Sequence, residues 1–105
     1  ELSSTFGNRL IEAKSLYALG YLYTESSSFD SAYHFYKDGI NKSKQYNFQD
    51  RLVYFTNDLG VMFERQDLYD SALVYYLQTL KLATDQKLYE DQAFTLNNIG
   101  VIFYR

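Results

Sequence analysis

A chain of 105 residues, 47% of them apolar, is long enough for one domain and can bury a core, which excludes a disordered polymer. The formal charge is −3 and the ten basic residues are scattered along the sequence, so no positive face of the kind that replaces nucleic-acid counterions is visible and no nucleic-acid partner is expected. The absence of cysteine removes disulfides, thiolate metal sites and cysteine nucleophiles, and no apolar run approaches the ~20 residues of a membrane span.

The first four residues, 1–4, align with Lys81–Thr84 and are expected to end a preceding helix. Residues 8–44 then read as a pair of helices. Ala13, Leu16, Leu19, Gly20 and Tyr23 form one helical stripe, and Phe29, Ala32, Tyr33, Tyr36 and Ile40 form the next. Ser27, between them, is expected to cap the second helix, with Asp30 near the positive end of its dipole.

Residues 48–84 repeat the pair. Val53, Leu59, Gly60 and Phe63 mark its first helix, interrupted by Thr56, and Tyr69, Ala72, Leu73, Tyr76 and Leu80 mark its second. Asp67 is the expected cap, with Asp70 three residues on. Residues 88–105 carry Ala93, Leu96, Ile99, Gly100 and Phe103, a first helix without a second. Asp50, Glu90 and Asp91 suit helix starts for the same dipole reason. Glu1 stands where an initiator Met would, so a piece of a longer array is expected.

The register behind these pairs is forty residues, set by Gly20, Gly60 and Gly100. Leu19-Gly20-Tyr21-Leu22-Tyr23 returns as Leu59-Gly60-Val61-Met62-Phe63 and as Ile99-Gly100-Val101-Ile102-Phe103. Asp30-Ser31-Ala32 returns as Asp70-Ser71-Ala72, and Phe35-Tyr36 as Tyr75-Tyr76. A glycine inside a helix costs about 1 kcal/mol relative to alanine. Paying that at equivalent sites makes sense if a bare backbone lets two helices approach closely, with Ala32 and Ala72 as the expected partners across each hairpin.

Leu-Gly, an aromatic three residues later, an alanine nine further on and an aromatic four beyond together resemble the tetratricopeptide repeat. The resemblance spans nearly the whole chain. It departs from the family in its forty-residue period, in Leu16, Thr56 and Leu96 where the family has a larger residue, and in the absence of proline. It implies an all-α, right-handed solenoid of about five helices in antiparallel hairpins. Elongated repeats of this kind resemble those of kinesin light chains and of bacterial regulators with kinase or DNA-binding outputs.

The resemblance further implies a concave groove lined by the first helices. The groove residues would be Lys14, Tyr17, Ala18 and Tyr21, then Tyr54, Asn57, Asp58 and Val61, then Phe94, Asn97, Asn98 and Val101. Asn57 and Asn97 would pair with a peptide backbone, and Tyr17, Tyr21 and Tyr54 would anchor side chains. The basic clamp with which some members hold a C-terminal carboxylate is missing, and Asp58 would repel one.

The expected function is a scaffold that binds a protein or extended peptide within a signalling or regulatory chain, with no cofactor and no enzymatic activity. His34 stands alone, its repeat equivalent being Val74, and no phosphate-binding loop or nucleophile elbow occurs. Self-association through the uncovered last helix, at Ile102 and Phe103, is the alternative, as is a sensor segment of a bacterial regulator. A lack of cysteine fits reducing and oxidising compartments alike. A cytoplasmic location is expected, with an extracytoplasmic sensor segment as the alternative.

Overall fold

The computed structural model describes residues 2–104, and the side chains of residues 5–104. Within these limits the chain is all-helical, with α1 at Leu2–Glu25, α2 at Phe29–Gln45, α3 at Gln49–Arg65, α4 at Tyr69–Asp85 and α5 at Tyr89–Tyr104. Each helix packs on the next in order, and α1 also meets α3. One layer therefore holds α1, α3 and α5, and the other α2 and α4, in a body of 50 × 32 × 17 Å. No described helix is long and apolar enough to cross a membrane.

The break expected after residue 4 does not occur, because α1 runs unbroken from Leu2. Glu1 lies outside the described residues, as does Arg105. Phe6, Gly7 and Asn8 align with the turn Tyr46-Asn47-Phe48, yet they stay helical. Continuing the helix satisfies their backbone groups without a turn. Phe6 packs edge-on against Phe48, with ring centroids 5.7 Å apart.

The four junctions are alike. Ser27, Asn47, Asp67 and Lys87, twenty residues apart, all sit in the left-handed region with φ of 58–62°. At each junction the middle residue's N–H donates to the carbonyl three residues back and the following N–H to the carbonyl five back. Ser27→Thr24 (3.0 Å) and Ser28→Tyr23 (2.8 Å) open the series, and Lys87→Thr84 (3.1 Å) and Leu88→Ala83 (2.9 Å) close it. This is the Schellman closure of a helix C-terminus. Ser27 and Asp67 are therefore stop residues of α1 and α3, not the expected caps of α2 and α4. The capping positions fall to Ser28 and Leu68, and neither makes a side-chain cap bond. Asp30, Asp50, Asp70, Glu90 and Asp91 do lie in first turns, as expected.

Glycine governs the packing between layers, though not by backbone contact. A Cβ on Gly20 would fall 2.3 Å from the Tyr36 ring, and one on Gly60 would fall 2.5 Å from the Tyr76 ring. The partners across each hairpin are thus these rings, while Ala32 and Ala72, fully buried, make room beside them. One turn past each glycine a polar side chain meets the phenol. The Tyr76 hydroxyl donates to Glu64 at 2.7 Å, and that of Tyr36 meets Thr24. Beside them Tyr23 stacks on Phe35 at 5.4 Å and Phe63 on Tyr75 at 5.5 Å, a repeated pair.

A third ring-on-glycine contact falls outside the forty-residue register. Gly39 of α2 lies under Phe55 of α3, where an added Cβ would come within 2.2 Å of the ring. Forty residues later both positions are threonine, Thr79 and Thr95, and both are buried. A small–large pair in one interface is replaced by a medium–medium pair in the next. Thr56, which interrupted the apolar stripe, is buried as well. Its hydroxyl donates to the Leu52 carbonyl at 2.8 Å and accepts from Thr79 at 2.8 Å, the back-bonding that lets threonine enter a helix interior.

The ends differ from the middle. Leu59 is fully buried, whereas Leu19, its equivalent, is exposed, no described helix packing on that side of α1. Nothing lies within 4 Å of a Cβ on Gly100, and Leu96 and Phe103 are exposed, since no helix of this chain covers that side of α5. A neighbouring helix therefore packs on Gly20 and Gly60, through a ring in place of the expected backbone approach, and none packs on Gly100. His34 rides on the surface of α2 beside Phe35, as expected.

Two substitutions probe these contacts. Gly39→Ala forces the buried Phe55 ring to move and should destabilise by about 1–3 kcal/mol. Lys87→Gly relieves a side chain held at φ 58° and should stabilise by up to about 1 kcal/mol. Urea denaturation followed by helical circular dichroism measures both, and a stabilising Gly39→Ala would contradict the packing described.

Candidate functional site

The face shared by α1, α3 and α5 carries the expected groove residues, and the structure divides them. Tyr17, Tyr54, Asn57, Asp58 and Phe94 line one hollow of about 210 Å³, with Val53, Thr79, Asp91 and Thr95 completing it. Val61 and Asn98 line a neighbouring hollow of about 390 Å³ with Glu64, Arg65, Asp67 and Tyr76. Tyr21 and Asn97 belong to neither and are exposed, as are Lys14, Ala18 and Val101.

Three aromatic residues of this surface reach water from three positions. Tyr21 is 53% exposed, Tyr54 38% and Phe94 59%. Tyr17 is half-buried, edge-on to Phe55 at 5.7 Å and tilted against Tyr36 at 6.3 Å, so its ring belongs partly to the core. The Arg51 guanidinium lies over the Tyr54 ring, 5.5 Å from its centroid, which holds that ring in place.

The polar residues are engaged with one another. Asp58 accepts from the Asn57 amide at 3.2 Å and from the Tyr36 hydroxyl at 3.4 Å, with the Tyr17 hydroxyl also directed at it. Asn98 donates to the Asn57 carbonyl oxygen at 3.3 Å. A chain of polar contacts thus runs from α1 and α2 through Asp58 and Asn57 of α3 to Asn98 of α5.

Its two links between successive helices of this layer share one offset. Tyr17 meets Asp58 and Asn57 meets Asn98, each forty-one residues apart in sequence. Adjacent parallel helices present opposite edges to each other, so the trailing position of one (17, 57) faces the leading position of the next (58, 98). Asn57 and Asn97, both expected to pair with a peptide backbone, therefore stand in different surroundings. Asn57 is spent on Asp58 and Asn98, while Asn97, a trailing position with no helix beyond it in this chain, stays exposed. Sequence reading missed this because it compared equivalent positions, and contact joins positions one residue out of register.

Burial raises the Asp58 carboxyl above its ordinary 3.8, against the opposing hydrogen bonds of Tyr17, Asn57 and Tyr36 and the charge of Arg65. Burial also pushes both phenols up, so Tyr17 and Tyr36 remain donors. On the far side of the molecule a third hollow, about 320 Å³, is floored by Ile40, Leu52 and Leu82 and edged by Lys37, Lys44 and Lys81. Among the described residues no group of three His, Cys, Asp or Glu is placed to hold a metal. Comparison with protein-family models, with curated proteins and with solved structures gives no match to this chain.

Asp58 gives a pH test. With its folded pKa above the unfolded one, the native state binds the proton more tightly, so its contribution to stability is lost as pH rises through the folded pKa. Asp58→Asn removes that loss. Relative to the wild type, the variant should gain stability as pH climbs from below 3.8 to neutrality. Urea midpoints across that range measure the difference, and a gap that stays constant or reverses would refute the burial argument.

Proposed function

We propose that the chain is a tetratricopeptide-like, right-handed helical stack whose α1–α3–α5 face binds an extended peptide or protein segment. The observation that carries this reading is the hollow of about 210 Å³ in which Tyr17, Tyr54 and Phe94, one from each successive helix of that layer, meet. Exposed rings held on rigid helices are typical anchors, since few torsions are lost when they are covered.

The amides take a different part from the one expected of them. Asn57 and Asn98 join α3 to α5 and fix the spacing of the rings, which leaves Asn97 to meet a ligand's backbone. The fixed charges beside the hollows favour an uncharged or basic segment. Asp91 borders the first, Asp67 and Glu64 border the second, and Arg65 is already paired with Glu25. A role within a signalling or regulatory chain belongs to the same proposal.

Selection from a displayed library of extended peptides tests it directly. Peptides selected on the wild type should bind Tyr54→Ala and Phe94→Ala at least tenfold more weakly, a loss of about 1.4 kcal/mol each. Both rings are exposed, so helicity and thermal stability should hardly change. Peptides that bind the doubly substituted chain as well as the wild type would place recognition elsewhere.

A further inference from the structure

The side of α5 that bears Leu96, Gly100 and Phe103 is a vacant copy of two surfaces that are occupied elsewhere in the molecule. Its counterparts are Leu16, Gly20 and Tyr23 on α1, covered by α2, and Thr56, Gly60 and Phe63 on α3, covered by α4. Leu16 is 9% exposed and Thr56 is 4%, whereas Leu96 is 55%. Gly20 and Gly60 lie under tyrosine rings, and Gly100 lies under nothing. Phe103, the counterpart of two stacked rings, is 75% exposed.

We infer that this side of α5 is a docking surface for one kind of partner, an amphipathic helix carrying the pattern Ala-x-x-aromatic-Tyr. The two covering helices define that chemistry. In each, the tyrosine sixteen residues after the glycine lays its ring on the bare backbone. The aromatic just before it stacks on the ring three residues past the glycine. The fully buried alanine four residues before the tyrosine lets the helices close. An ordinary apolar helix lacks the flat ring at the one position where α5 offers no side chain. A folded second copy has no such helix to offer, because the tyrosines of its α2 and α4 are already buried on their own glycines.

The register allows a test in a single chain. Residues 66–85, the third turn and α4, follow Arg65, whose equivalent is Arg105. Appending a copy of residues 66–85 after Arg105 should place the copied Tyr76 over Gly100. The extended chain should then melt at a higher temperature and protect the amides of α5 from hydrogen exchange. Gly100→Ala separates specific docking from general stickiness. In the 105-residue chain the change only removes an exposed interior glycine and should raise the folding constant roughly fivefold. In the extended chain the same change meets the ring and should lower the folding constant.

A change of sign between the two backgrounds supports the inference. The same sign in both, or an appended segment that leaves α5 exchange unchanged, would overturn it. A 105-residue chain that sediments as a dimer and loses that state on Phe103→Asp would also overturn it, in favour of a second copy on this surface.

Discussion

The structure depends on an aromatic ring packed against helical backbone where a side chain is missing. Gly20 under Tyr36, Gly39 under Phe55 and Gly60 under Tyr76 tie α1 to α2, α2 to α3 and α3 to α4. Each glycine weakens its own helix, and each is offset by burial of a large ring that could not otherwise come so close. The hydroxyl of each tyrosine must then find a partner in an apolar setting, which Thr24, Asp58 and Glu64 provide. Core packing and the polar chain on the candidate face are therefore one system, since Tyr36 belongs to both.

That dependence explains which parts of the fold were legible in the sequence. Gly20 and Gly60 stand in a forty-residue register with their tyrosines, so periodicity alone marks them as packing positions. Gly39 and Phe55 do not, because the next interface uses Thr79 and Thr95, and a compensated exchange of volumes leaves no periodic trace. Ser27 and Asp67 have the chemistry of helix caps, but their N–H groups close the helix before them and their φ is positive. Composition could not choose between start and stop, since the three-residue turn leaves the two roles one position apart.

The candidate face was legible to the same degree. Five of the twelve residues expected to line a groove lie together around the hollow, because that expectation needed only one side of each first helix. What escaped was the commitment of the polar groups to each other. Asp58 looked like a free carboxylate and is instead the acceptor for three neighbours, and Asn57, expected to meet a peptide backbone, accepts from Asn98. Hydrogen bonds between helices depend on which edges meet, and a single sequence does not contain that offset.

The junctions carry a consequence for how such a chain can change in length. The turn inside a pair and the turn between pairs have the same three-residue length, a positive φ at the same position and the same closing bonds. The backbone thus does not distinguish a whole unit from half of one, and its smallest module is a single helix with its turn. Gain or loss of one module keeps every joint intact but reverses which layer supplies the last helix.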